Sequence, residues 1–214
     1  MADLLGERYV GGGIVGPPAR SPGSTRLFLS GPRAAVAADW LAAGFIETVV
    51  LGERPGAAKA LKMCYAAYTK GANALLLAVR ALAEAEDVTD ALLTEWSRSQ
   101  PGLAQRSERS AQAVSPKAWR FAGEMLEIAA TFEAAGLPGG FHQAAASVYE
   151  RMAELKEADQ PQLCDVMQRL LVDVRAQEIS EPDPRNGRGV SHGETPTASR
   201  PLGERRGQHQ TAFG

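Results

Sequence analysis

Three glycines near the amino terminus have the spacing of a phosphate-binding loop. Gly11, Gly13 and Gly16 form the pattern G-x-G-x-x-G. In dinucleotide-binding domains this pattern follows a buried strand and opens a helix whose N-terminus faces the pyrophosphate. Here two prolines follow directly, and residues 19–24 show no helical apolar pattern. We therefore predict a strand that ends in a tight glycine- and proline-rich loop rather than a dinucleotide fingerprint.

Lys62 is the residue whose surroundings best suit proton transfer. It lies in a predicted helix among apolar and aromatic neighbours, and Thr69 and Asn73 follow on nearly the same helix face. A lysine buried in such a helix has a lowered pKa and can act as a general acid or base. From the residues alone, the pattern favours the commoner role of a helical lysine, which is a solvated cation.

One histidine and two cysteines complete the residues that could carry chemistry. His142 begins a predicted helix, where it is either a capping or surface residue or a hydrogen-bond donor in a substrate pocket. Cys64 and Cys164 lack a C-x-x-C partner, so we expect buried small hydrophobes in a reduced, cytoplasmic compartment.

The segment that contains the glycines has an α/β pattern. Strands are predicted at residues 25–30 and 46–51, with a short helix at 33–43 whose apolar face is Val36, Trp40 and Leu41. Three short strands form a marginal core alone. We interpret residues 1–52 as the last strands of a larger α/β sheet, which is incomplete here.

For the remainder of the chain, the sequence pattern predicts helices followed by a polar tail. A helix of about thirty residues, roughly 45 Å long, is predicted from residue 56. Further helices are predicted at residues 88–99, 103–113, 117–135, 141–157 and 161–175. We therefore predict a mainly α protein with an all-α domain at residues 53–178. Residues 179–214, rich in Gly, Pro, Ser and Arg, are predicted to be a disordered tail.

The overall composition excludes several classes of partner. The net charge of −2 gives no basic surplus for nucleic acid. No apolar run reaches the roughly 18 residues of a membrane span, and the first residues lack the layout of a signal peptide. We expect a cytoplasmic protein with neither a nucleic-acid nor a membrane partner.

Three stretches of the sequence resemble the β-hydroxyacid dehydrogenases, the superfamily of 6-phosphogluconate and 3-hydroxyisobutyrate dehydrogenases. Residues 10–17, VGGGIVGP, are similar to the substrate loop V-D-A-P-V-S-G-G. Residues 56–62, GAAKALK, are similar to G-x-G-x-x-x-K at the head of the interdomain helix. Residues 123–136 are similar to a helix that begins K-D and ends at a glycine. The resemblance spans residues 8–175 and extends to a bacterial subfamily with a provisionally labelled, phosphogluconate-dehydrogenase-like C-terminal domain.

The resemblance implies both a fold and an activity. The fold is a short Rossmann remnant followed by a helical domain like the C-terminal domain of 6-phosphogluconate dehydrogenase. The activity is that of an NAD(P)-dependent oxidoreductase acting on the CH–OH group of a small hydroxy acid, of which this chain is the C-terminal substrate and dimerisation portion. NAD or NADP would be held by a domain ahead of Met1 or on a separate chain, and we expect no binding by this chain alone.

The resemblance also implies roles for individual residues. Lys62 falls on the catalytic lysine, and Gly12, Gly13, Gly16, His142 and Glu124 fall on or near the substrate-binding positions. Backbone N–H groups of the three glycines could form an anion-binding nest. The chain departs from the pattern at four positions, where it has Gly11 for Asp, Val15 for Ser, Ala66 for Asn and Gly123 for Lys.

Two interpretations of function remain open from the sequence. The first is the oxidoreductase portion, pairing as a homodimer through apolar residues of the long helix and the next one, namely Leu75, Leu76, Val79, Leu82, Leu92 and Leu93. The second is a non-catalytic helical dimerisation or binding module left after truncation. We expect no metal site in either case.

Overall fold

The computed structural model describes residues 6–180, except for the side chains of Glu157 and residues 172–180. Its amino-terminal part is a three-stranded sheet of order β1-β2-β3, where the strands are β1 (Gly11–Val15), β2 (Thr25–Ser30) and β3 (Ile46–Val50). Strand β1 is antiparallel to β2, and β2 is parallel to β3. In this register Gly13 lies opposite Phe28.

A short helix, α1 (Ala34–Leu41), makes the crossover that two parallel strands require. The predicted strands and helix are therefore confirmed. The predicted apolar face of α1 is not covered, because Trp40 and Leu41 are exposed and only Val36 is half-buried. The glycines also differ from the expectation, since Gly12 and Gly13 lie within β1 rather than in a loop.

The rest of the described chain is helical, as predicted. The helices are α2 (Ala57–Ala85), α3 (Thr89–Ser99), α4 (Leu103–Val114), α5 (Ala118–Ala134), α6 (Gly140–Arg151) and α7 (Leu163–Ser180). Three short 3₁₀ segments, Gly6–Arg8, Ser115–Lys117 and Ala153–Glu157, complete the described elements. A mainly α protein with a small α/β unit at its amino terminus is thus the observed fold class.

Helix α2 is the centre of the helical domain. Its 29 residues span about 44 Å, so its first turns reach the sheet while its later turns enter the helical core. This core contains large side chains with almost no solvent exposure, including Leu77, Met125, Ile128, Tyr149, Met152 and Val166. The Tyr149 hydroxyl donates a hydrogen bond to the Lys70 carbonyl oxygen at 2.8 Å, which ties α6 to α2.

Two expectations about single residues are wrong. Cys64 and Cys164 are free thiols but exposed rather than buried, because each occupies the outer face of its helix. The predicted tail lies outside the described residues from position 181 onward.

No helix in residues 6–180 has the length and hydropathy needed to cross a membrane.

Candidate functional site

The first turn of α2 is fixed to the sheet by two contacts. The Ala58 backbone N–H donates a hydrogen bond to the buried Ser30 hydroxyl oxygen at 3.0 Å, so a side chain of β2 satisfies a free amide at the helix start. Gly13 of β1 lies against the same turn, where an added Cβ would be 2.5 Å from the Ala58 carbonyl oxygen. Only a glycine therefore allows β1 to approach α2 this closely.

This contact brings Gly13 and Lys62 together. The Lys62 Cβ is 3.2 Å from the position that a Cβ at Gly13 would occupy. The strand glycine and the helix lysine are therefore neighbours, and their roles in a site stay predictions. The expected burial of Lys62 is wrong, because its side chain is exposed.

Thr69 and Asn73 lie about two and three turns after Lys62 on nearly the same side of α2, as predicted. The Thr69 hydroxyl donates to the Tyr65 carbonyl oxygen of its own helix at 2.9 Å. Asn73 accepts a hydrogen bond from the Ser110 hydroxyl of α4 at 3.1 Å, so it belongs to the packing of α2 against α4. Both side chains therefore have partners within the protein, and a role beside Lys62 stays a prediction.

The glycines of β1 do not form a nest. Gly12 and Gly13 are in an extended strand paired with β2, whereas a nest needs successive amides in alternating helical conformations. Gly16 follows the strand with φ +121°, and an added Cβ would be 2.6 Å from the Ser24 carbonyl oxygen. Its place is explained by this turn and not by a ligand, and a substrate-binding role for these glycines stays a prediction.

A cluster of charged residues lies where α2 packs against α5. The Lys70 ammonium group contacts the Glu124 carboxylate as an ion pair and lies over the Phe121 ring, 4.4 Å from its centroid. Burial, followed by the positive charges of Lys62 and Arg120, lowers the pKa of Lys70 to about 8. Sequence reasoning identified Glu124 and Lys62 but missed Lys70, although it follows Lys62 by about two helical turns.

His142 is not in an open pocket. It is 5% exposed, its ring lies 4.4 Å from that of Phe132, and its Nδ1 has no hydrogen-bond partner in the described structure. Burial lowers its pKa, and a hydrogen bond with the Ala67 backbone opposes the shift. Gly71 of α2 faces this packing, where an added Cβ would lie 3.3 Å from the Phe141 ring and at an ordinary 3.8 Å from the histidine ring. His142 is thus packed between α2 and α5, and a substrate contact stays a prediction.

A groove of about 530 Å³ runs between the first turns of α2 and the last turns of α5. Apolar side chains form its walls, including Ala60, Met63 and Ala130, and Lys59 and Glu127 lie across it from each other. The groove is next to the Lys62 surface but does not include it. In residues 6–180, no group of three His, Cys, Asp or Glu side chains is arranged to hold a metal ion.

Neither the glycine pattern of β1 nor the connection from β2 to α1 fits a dinucleotide. The α2 backbone occupies the space beside Gly13, the middle glycine of the pattern, and β1 is followed by a loop and an antiparallel strand rather than by a helix. The connection from β2 to α1 does lead from a strand into a helix, but it does not offer a cradle. Gly31 donates to the Gly52 carbonyl oxygen, and its added Cβ would be 2.5 Å from the Tyr9 carbonyl oxygen.

Comparisons with known proteins agree with this architecture. Residues 83–152 match the family model DUF1932, a domain of unknown function. None of the curated proteins matches the sequence. A solved structure of a conserved hypothetical protein from Sinorhizobium meliloti 1021 is 26% identical with a TM-score of 0.60, and the match covers 75% of this chain and 57% of that one.

A second solved structure gives the likeness a chemical context. It is the conserved protein MTH1747, of unknown function, described as structurally similar to 3-hydroxyacid dehydrogenases. It is 23% identical with a TM-score of 0.55, and the match covers 68% of this chain and 56% of that one. The chain therefore spans a little more than half the length of these two proteins. We conclude that the resemblance to the C-terminal portion of hydroxyacid dehydrogenase-like proteins is confirmed at the level of the fold.

Proposed function

We propose that the chain is the C-terminal, substrate-binding and dimerisation portion of an NAD(P)-dependent oxidoreductase that acts on the CH–OH group of a small hydroxy acid. The observation that carries the proposal is the contact between Lys62 and Gly13. The exposed Lys62 side chain lies where the first turns of α2 pack against the sheet. Strand β1 approaches α2 there so closely that residue 13 cannot have a side chain.

In this proposal Lys62 moves the proton of the substrate hydroxyl at its Nζ atom. The helix start is held by Ser30 and Gly13, so the first turns of α2 have a fixed position relative to β1. General acid–base catalysis requires a proton donor within hydrogen-bond reach of the reacting oxygen, and the fixed helix start sets where the Lys62 backbone lies relative to β1. Glu124 acts indirectly, by pairing with Lys70 on the neighbouring surface.

The cofactor belongs to another part of the protein in this proposal. Since the glycines of β1 do not fit a pyrophosphate, NAD or NADP would be held by a domain preceding the described residues or by a separate chain. We expect calorimetric titration of NADPH into the 214-residue chain to show no micromolar binding. Micromolar binding would contradict the proposal that the cofactor is held outside this chain.

The test of the catalytic role compares two lysines on the same helix. In protein supplied with its cofactor-binding domain, Lys62→Met should fold normally and lose about 10²–10⁴-fold in turnover, the usual contribution of a general acid or base. Lys59→Met, on the groove side of the helix, is the matched control and should have a much smaller effect. Equal, mild effects of both substitutions would leave Lys62 as a solvated cation and remove the basis of the enzyme proposal.

The dimerisation role is supported by the outer face of α2. Tyr65, Tyr68, Leu75 and Leu82 are between half and nearly three-quarters exposed, and with Ala72 and Val79 they repeat at the alternating three- and four-residue spacing of a helix–helix seam. Leu76, expected in this surface, is buried in the core, and Leu92 and Leu93 are half-buried. We propose that a second copy covers the Tyr65–Leu82 seam.

Light scattering tests the dimer. The wild-type chain should have twice its 22.7 kDa mass, and Leu75→Lys, at the centre of the seam, should give a folded monomer. The exposed Leu126→Lys of α5 lies outside the seam and serves as the control. A monomeric wild type at high concentration would contradict the proposal.

The exposed seam also favours the second candidate function, a non-catalytic dimerisation or binding module, since it does not depend on Lys62. Reading the DNA upstream of Met1 discriminates the two. An in-frame region that encodes a Rossmann domain supports the oxidoreductase, whereas a frameshift or an unrelated gene supports the module.

A further inference from the structure

Three cations converge on the surface between α2 and α5. Lys62 and Lys70 project from α2, about two turns apart, and Arg120 projects from the first turn of α5. Arg120 lies one turn before Glu124 on α5, and Glu124 contacts Lys70, so Arg120 and Lys70 share this surface. The charges of Lys62 and Arg120 both lower the pKa of Lys70. Since Lys62 contacts Gly13 of β1, the cluster lies directly beside the proposed catalytic surface.

The negative charge on this surface does not balance the positive charge. Glu124 forms an ion pair with Lys70. Among the described residues, no carboxylate forms an ion pair with Lys62 or Arg120, and the recorded neighbour of the Arg120 guanidinium is the Trp119 ring. Glu127, the next acidic residue of α5, faces Lys59 across the adjacent groove.

The position of Lys70 is unfavourable for a purely structural cation. Its side chain is only 21% exposed, and its ammonium group lies over the Phe121 ring, 4.4 Å from the centroid, so this group has lost much of its hydration. Like charges on both sides add to this cost. An anion placed between Lys62, Lys70 and Arg120 would offset both contributions, because it replaces repulsion between cations with charge-assisted hydrogen bonds.

We propose that Lys62, Lys70 and Arg120 bind a second acidic group of the ligand, a carboxylate or a phosphate, in addition to the acid function of a simple hydroxy acid. This inference rests on the proposed function, which makes the bound ligand the substrate of the enzyme. It limits the substrate class to hydroxy acids that carry two anionic groups. Lys70 and Arg120 are binding residues in this assignment, and Glu124 holds Lys70 in position when the site is free.

The experiment measures anion binding to the full 214-residue chain by calorimetry at low ionic strength. The probes are inorganic phosphate, succinate as a dicarboxylate, and acetate as a single carboxylate. Saturable binding of phosphate or succinate, tighter than that of acetate, is expected, and the stronger of the two identifies the acidic group. Lys70→Met and Arg120→Gln should each weaken it by at least about tenfold, the usual contribution of a hydrogen bond to a charged group. Lys70→Arg, which keeps the charge, should retain most of the affinity.

Two controls separate this site from general charge effects. Arg109→Gln removes an exposed cation of α4 outside the cluster and should leave binding unchanged. At pH 8 the wild type should take up protons on binding, since an anion raises the pKa of Lys70, and Lys70→Met should lose this uptake. The groups that face Lys70 are Lys62, Arg120 and Glu124, and the Glu124→Gln variant should keep anion binding. Binding that is absent in the wild type, or equally reduced by Arg109→Gln, would overturn the proposal.

The result is independent of the enzyme assignment, because the measurement needs neither a dinucleotide nor turnover. Anion binding that depends on Lys70 and Arg120, together with full activity of Lys62→Met, would refute the proposed function and leave the anion site in place. Turnover that depends on Lys62, together with unchanged anion binding in both cluster variants, would refute the anion site alone.

Discussion

The helical domain and the α/β unit bury their apolar side chains to very different degrees. The helical core encloses large residues such as Leu77 and Tyr149, whose exposure is essentially zero. In the α/β unit the buried set is small and includes Val15, Leu29 and Ala34. Its larger apolar residues are exposed, namely Ile14, Trp40, Leu41, Phe45 and Val50.

This difference indicates which part of the chain carries its stability. Burial of apolar surface is the main favourable contribution to folding, and in the described structure most of it lies in the helices. The α/β unit gains order from its attachment to α2 through Ser30 and Gly13. Its exposed apolar face fits the proposal that a further domain or chain packs against it.

The largest expected effect contrasts one leucine from each region. Leu77→Ala should lower the free energy of unfolding by about 2–5 kcal/mol, because it leaves a cavity in a closed core. Leu41→Ala, at 42% exposure, should change it by no more than about 0.5 kcal/mol in the chain alone. Urea unfolding checks both values. Similar losses would mean that the α/β unit has a core of its own.

The next effect tests the close approach of the two regions. Gly13→Ala should cost about 1–3 kcal/mol, since the new methyl group overlaps the Ala58 carbonyl oxygen and must push β1 from α2. Gly12→Ala is the matched control, because its methyl group would meet side-chain atoms of Leu27 at an ordinary 3.4 Å. Limited proteolysis of the amino-terminal 50 residues should accelerate in Gly13→Ala only. Equal rates in both variants would contradict the contact.

A smaller effect is expected at the hydroxyl that holds the helix start. Ser30→Ala should cost about 1 kcal/mol, as for loss of a helix cap, because the Ala58 amide loses its partner. Ser24→Ala removes an exposed hydroxyl that bonds only within its own turn and should be nearly neutral. Thermal unfolding compares the two, and a neutral Ser30→Ala would show that the helix start does not need the sheet.

The smallest effect is a pH dependence inside the helical core. The pKa of His142 is lower in the folded chain than the ordinary value of 6.5. At a pH between these two pKa values, the unfolded chain binds a proton that the folded chain does not bind. Stability is therefore fully present above about pH 6.5 and decreases as the pH falls toward the folded value. His142→Leu should flatten this dependence in denaturant titrations at pH 7 and pH 5. His209→Leu is the control variant. An equally flattened pH dependence of stability in His209→Leu would contradict its assignment to His142.

Local patterns in the sequence determined the element order of this protein. The strand Thr25–Ser30 and the long helix α2 were predicted almost to the residue, because periodicity, glycine and proline act within a few positions of one another. The same patterns excluded a dinucleotide fingerprint at the glycines. The residues similar to the dehydrogenase superfamily indicated Lys62 and the fold.

Tertiary structure decided which side chains are covered and which charges meet. Helical spacing cannot tell whether a neighbour packs on a face, so Lys62 and both cysteines were expected to be buried and are exposed. The pairing of Lys70 with Glu124 joins positions far apart in sequence and exists only because α2 packs against α5. The need for glycine at position 13 likewise comes from the α2 backbone, which no strand pattern contains.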